Sequence, residues 1–138
     1  NGRYIDRWVD LRVVKDTRSP WLKGIKEISL PIAHGEGRYI KDKKKKIKSA
    51  LTYSKGKICE FQDLEKNPNG AEGDIAGILG YNGRVLGMMP HPERAIFAHQ
   101  SPLWQINKRK KKEVHPNAVG EWGEGILLFK NAVEYFKK

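Results

Sequence analysis

Residues 75–94 read Ile75-Ala76-Gly77-Ile78-Leu79-Gly80-Tyr81-Asn82-Gly83-Arg84-Val85-Leu86-Gly87-Met88-Met89-Pro90-His91-Pro92-Glu93-Arg94, and the fold is decided here. Two apolar runs, 75–79 and 84–89, flank a glycine-bounded Tyr-Asn pair. Asn82-Gly83 between such runs suits a type I′ turn, which needs positive φ at both central residues. The stretch therefore reads as a hairpin that delivers Pro90-His91-Pro92-Glu93 to a strand end, where catalytic groups gather on open sheets. Pro92 fixes its own φ and biases His91 toward an extended backbone. Residues i and i+2 of an extended chain point the same way, so His91 and Glu93 share a side. A base and a carboxylate able to orient it are two thirds of a nucleophile–histidine–acid relay. Taken by itself, the triplet is a turn with a capping glutamate before a helix that begins near Glu93. The apolar strand, the hairpin and the adjacent arginine favour the relay.

Working upstream, residues 3–14 read as a strand. Ile5, Val9, Leu11 and Val13 lie on one face, interrupted by Arg7, with Asp6, Asp10 and Arg12 on the other. Thr17-Arg18-Ser19-Pro20 breaks it. Residues 25–33 form a second strand ending in His34-Gly35-Glu36-Gly37, a loop whose glycines permit close backbone approach. Main-chain N–H groups there can face a carboxylate or an oxyanion; the local pattern alone equally gives a tight strand-to-helix turn. Residues 38–54 read as a helix with Ile40, Ile47 and Leu51 inward. Residues 57–64 read as a short strand carrying Cys59, followed by the turn Asn67-Pro68-Asn69-Gly70. Downstream, 124–137 read as a helix that buries Ile126, Leu127, Phe129, Ala132, Val133 and Phe136. The strands outnumber the helices available to cover them, and no βαβ unit opens the chain. With Asn1 as its first residue, the sequence reads as the later part of a longer domain.

Composition narrows the function classes. The 138 residues carry a formal net charge of +11. Lysine runs at 41–48 and 108–112 hold 11 of the 27 Lys and Arg, so the remainder is near neutral. Neither run is interleaved with aromatics, as a single-strand stacking platform requires. They read as solvated surface runs rather than as a nucleic-acid groove. No apolar run approaches the ~20 residues that span a bilayer. A single cysteine excludes an internal disulfide framework and fits a reducing, cytoplasmic setting. Cys59 lacks the small flanking residues of a nucleophile elbow. His34, Glu36, His91 and Glu93 together offer four N/O donors, which leaves a metal-dependent hydrolase as an alternative, although the spacing matches no zinc motif. A basic module binding nucleic acid is the other alternative.

Read together, Gly2-Arg3-Tyr4-Ile5 with Arg7-Trp8-Val9, Leu30-Pro31-Ile32-Ala33-His34-Gly35-Glu36-Gly37-Arg38-Tyr39, Asn67-Pro68-Asn69-Gly70, Ile75-Ala76-Gly77-Ile78 and Gly87-Met88-Met89-Pro90-His91-Pro92-Glu93-Arg94-Ala95 resemble the glutaminase subunit of phosphoribosylformylglycinamidine synthase, a class I, triad-type glutamine amidotransferase of purine biosynthesis. The motifs occur in family order and, with the closing helix, span nearly the whole chain; residues 96–121 match least. The resemblance implies the C-terminal portion of a flavodoxin-like α/β domain with a mixed sheet. It implies glutamine hydrolysis at a Cys-His-Glu triad, with ammonia passed to a partner synthetase. His91 and Glu93 fall on the family's histidine and glutamate, and Gly35 and Glu36 on the loop that contacts glutamine through main chain. No cofactor is implied in this chain; ATP and Mg belong to the synthetase. The implied partners are that synthetase, a small bridging subunit, and the N-terminal part of the same domain. The family's Gly-X-Cys-X-Gly elbow precedes the Arg-Tyr strand and has no counterpart in these residues. Cys59, lying between matching blocks, does not inherit its role. A base without its nucleophile forms no thioester, so the expectation is a chain inactive on its own.

Overall fold

The computed structural model describes residues 2–42, 44–109 and 122–137. Five strands form one sheet in the order β2-β1-β3-β4-β5: β1 (Ile5–Val13), β2 (Glu27–His34), β3 (Lys48–Ser54), β4 (Ile75–Gly80) and β5 (Val85–Met88). Among the described residues, three α-helices accompany it: α1 (Lys57–Gln62), α2 (Trp104–Arg109) and α3 (Ile126–Phe136). The α/β class holds. The resemblance implies a mixed sheet, whereas every strand pair among the described residues is antiparallel.

The pattern in β1 and β2 explains the core. Val9, Leu11, Leu30 and Ile32 are completely buried where these strands pair, with Val9 opposite Leu30 and Leu11 opposite Ile28. Each such side chain contributes about 1.5–3 kcal/mol on burial. Leu127 and Leu128 of α3 join the same cluster.

Several expectations are corrected. Residues 38–42 and 44–47 are not helical, and the strand β3 replaces the second half of the expected helix. Lysines three and four apart repel on a helix, which penalises it, while Leu51 and Tyr53 reach the core from an extended chain. Residues 57–62 are helical rather than extended. The cause is non-local: the buried Asp10 accepts from the backbone N–H of Cys59 at 2.8 Å and of Ile58 at 3.4 Å, so a carboxylate from β1 caps α1. Asp10, expected on the polar face, is only 6% exposed for this reason. The β4–β5 connection, by contrast, is the expected two-residue turn: Asn82 and Gly83 both take positive φ, and the Arg84 N–H donates to the Tyr81 carbonyl at 3.2 Å, as a type I′ turn requires. Ile40 is exposed, and so are Phe129, Val133 and Phe136, three members of the stripe that periodicity assigned to the inside of α3. Residues 110–112 of the second lysine run lie outside the described residues.

Candidate functional site

The outer edge of β2 organises the site. The Pro31 carbonyl accepts from the His91 backbone N–H at 2.8 Å, so the residues leaving β5 are fastened to that edge. Pro92 then starts a 3-10 turn, Pro92–Ala95, which brings Glu93 back beneath the imidazole. His91 Nδ1 lies 2.6 Å from Glu93 Oε1. A carboxylate accepts only, so Nδ1 carries the proton and Nε2 is left as the basic atom. The imidazole side chain is 35% exposed, which leaves it reachable. From below, Gly125 closes on the turn: a Cβ there would lie 2.0 Å from the Pro92 carbonyl oxygen, and its N–H donates to the Ala95 carbonyl at 2.9 Å. The start of α3 and the edge of β2 thus grip the His91–Glu93 turn from two sides. Arg94 reaches Asp6 at 3.4 Å across the same end of the sheet.

Gly35 and Glu36 line an open cleft of about 610 Å³ together with Arg3, Tyr4, Arg38 and Asn69. On its other side, the 36–38 loop borders a groove of about 270 Å³ against β4 and the end of β5. The loop therefore stands between the cleft and the strand that leads into His91. Its anchor is Asn69, 4% exposed, whose Nδ2 donates to the Gly37 carbonyl at 2.9 Å and meets His34 Nε2 at 3.2 Å. His34 titrates below the ordinary histidine value, chiefly because burial penalises the charged ring and to a lesser degree because of the charge on His91.

The remaining chemistry-bearing residues are elsewhere. Cys59 is 1% exposed, its thiol directed at the Ser54 carbonyl at 3.7 Å, and burial pushes its pKa up. This is the reverse of an activated thiolate. Among the described residues, no group of three or more His, Cys, Asp or Glu side chains is arranged to hold a metal ion, so the four donors of the metal-hydrolase alternative are not assembled. Lys44, Lys45, Lys46 and Lys48 are solvent-exposed. Among the described residues, no helix is long and apolar enough to cross a membrane. Sequence reasoning missed Glu124, whose Oε2 accepts from the Ser29 backbone N–H at 2.7 Å, two residues along the β2 edge from Pro31. Burial, aided by nearby Asp10, pushes its pKa up to about 7. It also missed Asn69 as an anchor; the Asn-Pro-Asn-Gly turn was the signal available.

Residues 1–136 match the CobB/CobQ-like glutamine amidotransferase domain. The subunit PurQ of phosphoribosylformylglycinamidine synthase from Methanococcus maripaludis (strain C5) is 39% identical over 149 residues, covering all of this chain and 54% of that protein. The corresponding Pyrococcus horikoshii subunit is 45% identical over 141 residues, covering 99% of this chain and 52% of the relative. A solved structure, PurLQS from Thermotoga maritima, superposes with a TM-score of 0.62 at 31% identity, over 97% of this chain and 49% of that one. The chain spans about half the length of the relatives it matches.

Proposed function

The chain belongs to the CobB/CobQ-like glutamine amidotransferase domain family, and on that premise we propose that it supplies the histidine and glutamate of a Cys-His-Glu glutaminase. The observation that carries the reading is the 2.6 Å contact between His91 Nδ1 and Glu93 Oε1 on a turn fastened to Pro31. Residues 1–138 are then the C-terminal part of one amidotransferase domain. On this reading the cysteine elbow belongs to a part of that domain outside these residues.

His91 Nε2 takes the thiol proton, and the thiolate attacks the glutamine side-chain carbonyl carbon. The C–N bond breaks as the imidazolium returns the proton to the leaving nitrogen, releasing ammonia and a glutamyl thioester. Water, deprotonated by the same Nε2, cleaves the thioester to glutamate. Glu93 holds the tautomer and offsets the imidazolium charge. Gly35 and Glu36 contact glutamine from the cleft. No cofactor acts in this chain. The ammonia goes to a synthetase partner that uses ATP and Mg, with a small bridging subunit in the complex, in the cytoplasm and in the service of purine biosynthesis. Alone, the chain has no glutaminase activity.

The test is ammonia release from glutamine by this chain complemented in trans with a polypeptide covering the remainder of the Methanococcus maripaludis relative. His91→Ala should abolish it. Undiminished release in that variant would remove His91 as the base.

A further inference from the structure

His34 is used by nothing in the reaction above, yet the chain folds around it. The next three residues curl back so closely that a Cβ on Gly37 would lie 2.4 Å from the ring's Cγ. Only a glycine admits this approach. Asn69 then closes the turn from outside. Its amide cannot be reversed: Oδ1 accepts from the Ala71 N–H at 3.0 Å, and Nδ2 donates to the Gly37 carbonyl at 2.9 Å. The Nδ2 that faces His34 Nε2 at 3.2 Å is therefore a donor, and Nε2 must accept. One side chain thus bridges the last residue of β2 and the loop three residues on.

Asn69 is itself held by its own turn. Asn67 Oδ1 accepts from the N–H groups of Asn69, Gly70 and Ala71, and Asn67 Nδ2 donates to the Ala71 carbonyl. The bridge is consequently rigid at both ends. What it holds still is the loop bearing Glu36 and Arg38, with Arg3 opposite, along the open cleft. One carboxylate and two guanidinium groups around one space suit a ligand with an ammonium and a carboxylate on adjacent atoms, that is, a free α-amino acid.

We propose that His34, acting through Asn69, is a positioning residue that locks the 35–38 loop in the geometry that binds the amino-acid end of the substrate, and so sets affinity while His91 sets turnover. This rests on the glutaminase reading above. His34 accepts one hydrogen bond, donates none to the ligand, and takes no part in proton transfer. The neutral ring protonated on Nδ1 is the working form; the other tautomer sets two donors against each other.

Two measurements separate the lock from the reaction. On this chain, nitrogen NMR of the His34 ring should give the Nδ1–H tautomer, and Asn69→Ala should speed amide exchange at residues 35–38. On the complemented chain, Asn69→Ala and His34→Ala should each raise KM for glutamine about tenfold, the scale of one buried hydrogen bond, with kcat nearly unchanged. His34→Gln, which retains an acceptor, should recover most of the loss. An Nε2–H tautomer overturns the lock, as does unchanged loop exchange in Asn69→Ala. So does a fall in kcat with unchanged KM. If the unsubstituted complemented chain releases no ammonia, the glutaminase reading fails, and the lock is decided by tautomer and exchange alone. If Asn69→Ala does not fold, His34→Ala against His34→Gln decides it.

Discussion

His34 ends β2 and His91 is fastened to the same strand at Pro31, three residues earlier, yet the two rings sit in different surroundings. His91 stands on a turn, one third exposed, with a carboxylate 2.6 Å from Nδ1. His34 is packed against Gly37 and meets an amide donor at Nε2. A carboxylate below Nδ1 leaves the far nitrogen basic and free, and prepares the ring to accept a proton. An amide donor at Nε2 occupies that basic lone pair and holds the ring neutral. On the proposed reading the same side chain is a base in one place and a clasp in the other, according to which nitrogen the protein engages.

The contrast can be broken at several points. The largest effect is expected in turnover: His91→Ala lowers kcat for ammonia release about ten-thousandfold, whereas His34→Ala leaves kcat nearly untouched. Equal losses in both would erase the distinction. Next is Glu93→Gln, which keeps the shape but removes the charge that fixes the tautomer. It should cost about a thousandfold in kcat at unchanged KM.

A third expectation concerns pH and stability. Glu124 has a pKa raised to about 7 in the folded chain, against 4.5 as its ordinary value. Between these values the folded state holds a proton that the unfolded state has released, so this group costs stability as pH rises from about 4.5 to 7, up to about 3 kcal/mol. His34 has the opposite sign. Its pKa is lowered in the fold, so its contribution is present above 6.5 and is lost as pH falls through the folded value. Glu124→Gln retains an acceptor for the Ser29 N–H and removes the first effect. Its urea midpoint should therefore rise relative to the parent chain at pH 8, and drop more steeply than the parent's on going to pH 5. Parallel curves would show that Glu124 is ionised throughout. The smallest expected effect is Gly37→Ala, where the added methyl meets the His34 ring. A loss of about 1–3 kcal/mol in urea unfolding is expected, against little change for Gly35→Ala, where a Cβ meets nothing within 4 Å.

How far the sequence was legible depends on the range of the interactions. The strands read over 3–14 and 25–33 met β1 and β2, because a strand buries side chains by its own local pattern. The His91–Glu93 pair was legible because two prolines and i, i+2 geometry are local. The 38–54 segment was misread because its isoleucines mimic a helical stripe, while Leu51 is drawn into a strand by partners far along the chain. Residues 57–62 were misread because the group that caps the helix is Asp10, nearly fifty positions earlier. Glu124 and Asn69 were not singled out for the same reason: their partners are Ser29 in one case and His34 and Gly37 in the other. On α3 the periodicity was sound, yet Phe129, Val133 and Phe136 are exposed in the described structure.

The central claim is that these residues hold the base and its orienting acid, and that the nucleophile comes from beyond them. Ammonia release from glutamine, measured on the chain alone and again after complementation with the remainder of the Methanococcus maripaludis relative, tests it most directly. The account predicts no release above the uncatalysed rate for the chain alone, and one ammonia per glutamate formed once it is complemented. Equal release with and without the complementing polypeptide would contradict it.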